Sequence, residues 1–238
     1  MSDAYKNYLS GSVNPKIIWE KMKYDYLFNQ SHPDFFKPDG FICFCGAQGS
    51  GKTLSATQYI HKLVLEYPKV KIVANCKLSF PDWDGEIIPY TGFEQVSKLD
   101  NGYYGIILFL DEIQSEFNSL ESAKIDPSWF TVISQQRKRR LHVVGTSQLF
   151  ERVAKCWREQ FTACIQCCGY FGCLQWNRVI DMNNITYDER GEIADVGSIR
   201  SYIWLRSPKL YEYYDTWQKV ERKESAKKND NHRRVRFS

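Results

Sequence analysis

The stretch Gly46-Ala47-Gln48-Gly49-Ser50-Gly51-Lys52-Thr53 fits the pattern G-x-x-x-x-G-K-[ST], and it restricts the fold more than any other part of the chain. The pattern marks a phosphate-binding loop when a buried strand leads into it and a helix leads out. Both flanks comply. Gly40 to Cys45 is an apolar run, and Leu54 to Glu66 carries apolar residues at helical spacing. In that setting the glycines let backbone N–H groups turn inward around phosphate oxygens, helped by the positive end of the following helix. Residues Gly46 to Leu54 are then the expected cradle for a nucleoside triphosphate. Lys52 is expected to reach the β- and γ-phosphates, and Thr53 to place its hydroxyl on Mg²⁺.

Three more apolar runs follow: Val70–Asn75, Ile106–Asp111 and Leu141–Thr146. They alternate with helical segments, among them a short one at Phe93–Leu99 and a longer one opened by Asp126-Pro127 and running to about Arg140. Near-continuous apolar strands in alternation with helices predict an α/β fold, a parallel sheet sandwiched by helices. After the fourth core strand the pattern changes. Phe161–Cys168 and Cys173–Met182 flank Gly169–Gly172 and read as an antiparallel hairpin extension. Asp188–Gly191 reads as a turn, Ile199–Leu205 as another strand, and Lys209–Trp217 as a Tyr-rich helix. The expected organisation is an N-terminal helical extension over 1–38, an NTPase domain over 39–217 and a basic tail over 218–238.

Charge sharpens this division. The net charge is +4, yet residues 219–238 hold eight Lys/Arg against three acids, which leaves the rest of the chain near −1. The tail can hold nucleic acid or anionic lipid, or simply keep the chain soluble. No apolar run approaches the roughly 20 residues that span a bilayer, and the first residues are too polar for a secretion signal. The expected location is the cytoplasm, at most peripheral to a membrane or virion assembly site, with the eight cysteines as reduced thiols.

Ile106 to Leu110 delivers Asp111 and Glu112 to the C-terminal edge of the sheet, where open α/β sheets bind ligands. Asp111 is expected in the Mg²⁺ shell, and Glu112 as general base on the attacking water. Leu141 to Ser147 brings Gln148 to the same edge, either to read the γ-phosphate or orient water, or merely as the end of a strand. The run Arg137-Lys138-Arg139-Arg140 closes a helix. It either offsets the helix dipole or supplies an arginine finger to a neighbouring subunit, with Arg137 and Arg140 on one helix face as the candidates. Cys164, Cys167, Cys168 and Cys173 are spaced for zinc, but strand alternation sends Cys167 to the face opposite Cys164 and Cys168, which favours buried thiols. Tyr211, Tyr213 and Tyr214 can stack on a base or pack in a core.

Taken together, Gly46–Thr53, Asn75, Asp111-Glu112-Ile113-Gln114, Ser134 to Lys138, Thr146-Ser147-Gln148 and the close at Pro208–Thr216 resemble the FtsK–HerA superfamily of ring ATPases, closest to the zonula occludens toxin-like branch with the filamentous-phage assembly ATPases. The resemblance covers about residues 38–217. It implies a strand inserted between the phosphate-loop strand and the Asp111 strand, and a ring oligomer, a hexamer, with ATP at subunit boundaries. It carries roles over to Lys52, Thr53, Asp111, Glu112 and Gln148. Members with a membrane-embedded assembly role add a transmembrane segment after the ATPase domain, and none is present here, so a membrane-bound or virion protein is an expected partner. The function expected is an ATP-hydrolysing motor of a phage or plasmid that translocates DNA in virion assembly or packaging. The alternative is a nucleotide-dependent assembly switch or scaffold, which the near-neutral domain also allows.

Overall fold

The computed structural model describes residues 15–38, 40–116, 136–182, 186–187, 193–195 and 198–214. The helix start at Asp126-Pro127, the turn at Asp188–Gly191 and the basic tail lie outside them. The strands are β1 (Gly40–Cys45), β2 (Lys71–Ala74), β3 (Ile87–Pro89), β4 (Ile106–Leu110), β5 (Leu141–Ser147), β6 (Phe161–Tyr170), β7 (Leu174–Asp181), β8 (Thr186–Tyr187), β9 (Ile193–Asp195) and β10 (Ser198–Leu205). The helices are α1 (Pro15–Ser31), α2 (Lys52–Glu66), α3 (Phe93–Lys98), α4 (Gln136–Arg139) and α5 (Lys155–Arg158).

Eight strands form one sheet in the order β10-β7-β6-β1-β5-β4-β2-β3. From β6 to β3 every pairing is parallel, whereas β6–β7 and β7–β10 are antiparallel. β5 thus sits between the phosphate-loop strand β1 and β4, which carries Asp111 at its end. The hairpin β6–β7, extended by β10, continues the same sheet beyond β1 on the side away from β4.

The parallel strands are largely apolar because both faces are covered. On one face Phe44, Ile72, Phe109 and Val144 pack with Ile60 and Val64 of α2. On the other Cys43, Leu108, Leu110 and Val143 pack with Phe150, Val153 and Trp157 around α5. Cys164 joins the second cluster and Cys167 the first, so these thiols line opposite faces. Among the described residues no group of three or more His, Cys, Asp or Glu is placed to hold a metal ion.

Within the described residues the expected core strands and the hairpin are observed, and three differences bear on the reading. Ile87–Pro89 is a short parallel edge strand inside the stretch read as irregular, and Pro89 suits an edge because it lacks a ladder donor. Pro208–Glu212 is a 3₁₀ turn, not the start of a helix to Trp217, because Tyr214 pairs as an isolated bridge with Leu78 and draws the chain into an extended form. Tyr213 packs against His61 and Phe80, the packing alternative for that residue. The third difference lies at Arg140. It leaves the helix with φ 53°, so Arg137 and Arg140 do not lie on one continuous helix face. The left-handed residue reverses the chain into β5, and its guanidinium settles over the Phe35 ring, 4.1 Å from the centroid.

The described part of the N-terminal extension opens with a 17-residue helix with no buried residue. Phe28 stacks on His32 and meets Phe35 edge-on, and the Phe36 N–H donates to the Tyr103 carbonyl at 2.9 Å, which ties the segment to the domain. Among the described residues no helix is long and apolar enough to cross a membrane.

Candidate nucleotide site

β1 ends at Cys45 and α2 begins at Lys52, so the loop between them lies at the C-terminal edge of the sheet. Its fold needs glycine at two places. A Cβ on Gly46 would lie 2.4 Å from Ser50 Oγ and 2.7 Å from the Cys167 carbonyl, so the start of the loop is closed to any side chain. Gly51 caps α2 with φ 85° and ψ 23°, a left-handed conformation that costs other residues strain. The first N–H groups of α2 have no intrahelical acceptor and are free for an anion. Ser50 Oγ is buried and without a hydrogen-bond partner, a second donor awaiting an acceptor. The Leu54 side chain is buried, so only its main chain can serve a ligand.

Lys52 is 7% exposed, and its Nζ lies 3.4 Å from Glu112 Oε1. Thr53 Oγ1 donates to Asp111 Oδ1 at 2.9 Å, and Thr146 Oγ1 donates to the same oxygen at 2.6 Å. The Glu112 N–H donates to Thr146 Oγ1 at 2.9 Å, so one threonine of the inserted strand β5 holds both acids. Asn75, at the end of β2, brackets Asp111 from the other side. Its Nδ2 donates to the Asp111 carbonyl at 2.9 Å, and its Oδ1 accepts from the Asp111 N–H at 2.8 Å. Glu112 has φ 52°, unusual for a non-glycine residue, and this turn swings its side chain back over Lys52. Gln114 Nε2 donates to Glu112 Oε2, while Gln114 Oε1 is buried and unpaired.

Burial pushes the Asp111 carboxyl above its ordinary value, and the Thr146 and Thr53 hydroxyls pull it back only in part. A buried carboxylate beside a threonine hydroxyl is an all-oxygen donor pair of the kind Mg²⁺ accepts alongside phosphate oxygens and water. Thr53 and Asp111 therefore fit the ion.

Gln148 is half-buried and lines, with Gly46 to Ser50 and Tyr170, a cavity of about 780 Å³ on the α5 side of the loop. It is brought to the loop but makes no hydrogen bond to Lys52, Asp111 or Glu112. Arg140 lies elsewhere. Its carbonyl accepts from Ile106 at the start of β4, which places it at the sheet edge opposite the loop. The Arg137 side chain lies outside the described residues.

Sequence reading did not assign Thr146, Asn75 or Gln114 a role, although all three stand in the motifs quoted above. It also missed a cluster from the hairpin. Gln175 of β7 and Arg206, just after β10, both donate to the Ser50 carbonyl, at 3.1 and 3.2 Å. No local signal marks them, because their meaning comes only from a contact across more than a hundred residues.

The fold and this loop together are those of a P-loop NTPase with a strand inserted between the two motif strands. No protein-family model matches the sequence, and no curated protein is significantly similar to it. Among solved structures, the N-terminal domain of zonular occludens toxin from Neisseria meningitidis superposes with a TM-score of 0.52 at 14% identity, over 75% of this chain and 100% of that one. The genome packaging NTPase B204 from Sulfolobus turreted icosahedral virus 2, in complex with ATP-gammaS, gives a TM-score of 0.48 at 13% identity, over 62% of this chain and 94% of that one. The first likeness extends to the fold.

Proposed function

We propose that the chain is an ATP hydrolase that works as the DNA-translocating motor of a phage or plasmid in virion assembly or packaging. The observation that carries the hydrolase reading is the Lys52–Glu112 pair beside the Thr53–Asp111 pair. The Lys52 ammonium and the Glu112 carboxylate stand 3.4 Å apart as an ion pair. An incoming triphosphate draws Lys52 toward its β- and γ-oxygens and leaves the Glu112 carboxylate free to take a proton from water. Mg²⁺ held by Thr53 and Asp111 would offset the charge that develops on the phosphoryl group. Thr146 fixes the Glu112 backbone and Gln114 fixes its carboxylate, so the base is oriented before the substrate arrives. Gln148 is close enough to the loop to serve the water or the γ-phosphate once they are bound.

The motor role and a hexameric ring rest on the motif resemblance and on the fold likeness. Arg140 acts as a finger only if a neighbouring copy brings its loop to the opposite sheet edge, and Arg137 is the second candidate. DNA and a membrane-bound or virion protein are the proposed partners. The test is steady-state ATPase activity with and without single- and double-stranded DNA at two salt concentrations. Stimulation that fades with salt is the expected result. Indifference to both DNAs, with ATP-dependent ring formation, would replace the motor by an assembly switch.

A further inference from the structure

We propose that Arg206 is a second phosphate-binding cation of the nucleotide site, supplied from the end of β10 within the same chain, and that it engages the α-phosphate side of the nucleotide. This inference rests on the nucleotide-binding reading above.

Arg206 is reached through the hairpin. Its N–H bonds to the Cys173 carbonyl at 2.7 Å, which ends the β7–β10 ladder and aims the side chain at the start of α2. There Arg206 Nε donates to Gln175 Oε1 at 3.0 Å, and Nη2 donates to the same oxygen at 2.7 Å and to the Ser50 carbonyl at 3.2 Å. Gln175 is itself fully buried and braced by Asn177 Oδ1 at 2.8 Å, and Asn177 Nδ2 donates to the Tyr202 hydroxyl at 3.1 Å. The guanidinium is wedged between two glycines. A Cβ on Gly169 would lie 1.9 Å from Nη2, and one on Gly51 would lie 2.6 Å from it.

Hydrogen bonding alone does not explain a cation at this place. The start of a helix carries partial positive charge, and Lys52 stands next to it, so a guanidinium here is repelled from both unless an anion joins them. Among the described residues no carboxylate pairs with Arg206, and its Nη1 makes no hydrogen bond. The anion that resolves the conflict is the one the loop is built to hold.

The sheet order says which part of the nucleotide is met. β4, with Asp111 and Glu112 at its end, lies on one side of β1, whereas β7 and β10 lie on the other. The γ-phosphate belongs beside Glu112 and Lys52. The α-phosphate then leaves the loop toward Arg206. Such a contact is made by AMP, ADP and ATP alike, which separates it from an arginine finger acting on the γ-phosphate during turnover.

The experiment is equilibrium binding of fluorescent AMP, ADP and ATP to the full chain, to Arg206→Gln and to Arg206→Lys. Glutamine can keep the Nε-position donor to Gln175 but neither the Ser50 bond nor the charge, and lysine keeps the charge. The expected result is that Arg206→Gln weakens all three nucleotides by a common factor of about ten, and that Arg206→Lys recovers most of it. A purely structural residue would not be recovered by lysine, whose single ammonium cannot make the three guanidinium bonds, and that result overturns the proposal. On the unaltered protein, ADP should slow phenylglyoxal modification of Arg206 mapped by mass spectrometry, and an unchanged rate overturns it as well. If the unaltered chain binds none of the three nucleotides, the nucleotide reading itself fails. If it binds them and Arg206→Gln binds equally well, only the role of Arg206 fails.

Discussion

Thr146 offers the sharpest test of how the acids are held. It is fully buried, donates to Asp111 Oδ1 at 2.6 Å and accepts the Glu112 N–H at 2.9 Å. Thr146→Val keeps the shape and removes both bonds. A hydrogen bond to a charged group contributes about 1.5–3 kcal/mol, and an orphaned buried N–H costs about 1–3 kcal/mol. Glu112 is only half-buried, so water can partly replace the second bond, and the low end of each range gives a loss of about 2.5 kcal/mol. For a domain of this size that lowers the melting temperature by about 5–10 °C. Thr146→Ser keeps both bonds and loses one methyl, a cost of about 1 kcal/mol. The two variants melted side by side in a calorimeter separate chemistry from volume. If Thr146→Val melts within about 2 °C of Thr146→Ser, the hydroxyl does not hold the two acids and the reasoning fails.

Three further outcomes follow from the same geometry. Gly51→Ala should weaken ADP binding by about tenfold or more, because it adds left-handed strain to a clash 2.3 Å from Gln175 Oε1. Gly49→Ala, at φ 80° with nothing within 4 Å, should show only the strain; titration of both with ADP checks this. Asn75→Ala removes both bonds that bracket the Asp111 peptide and should lower stability to urea by about 2–3 kcal/mol. Gln114→Ala frees the Glu112 carboxylate from its local donor. Turnover should fall about tenfold or more while ATP binding, measured separately, moves far less.

Much of the frame was legible because its signals are local. The loop, its flanking strand and helix, and the strand that ends in Asp111-Glu112 each declare themselves within a dozen residues. The hairpin around Gly169–Gly172 did so by a change from continuous apolar strands to turn-bounded ones. The place of β5 between β1 and β4 came from resemblance, since apolar strands buried on both faces look alike and do not state their neighbours. The short edge strand Ile87–Pro89 was hidden by its proline and its length. At the site, Lys52, Thr53, Asp111 and Glu112 stand together as their motifs suggested, but the braces were not legible. Thr146 and Asn75 meet Asp111 only after β5, β4 and β2 are aligned, and Gln175 and Arg206 reach Ser50 only after the hairpin folds back. Arg140 was misjudged as one face with Arg137 because a left-handed residue at a helix end is invisible to a count of helical spacing.

Glu112→Gln tests the central claim most directly, through two readouts on one preparation: equilibrium binding of ATP and steady-state release of phosphate. Glutamine cannot accept the water proton, and it no longer pairs with Lys52 as a carboxylate does. ATP should therefore bind at least as tightly as to the unaltered chain, while phosphate release falls to background. Turnover at the unaltered rate would contradict the assignment of Glu112 as the base and, with it, the account of how this site hydrolyses ATP.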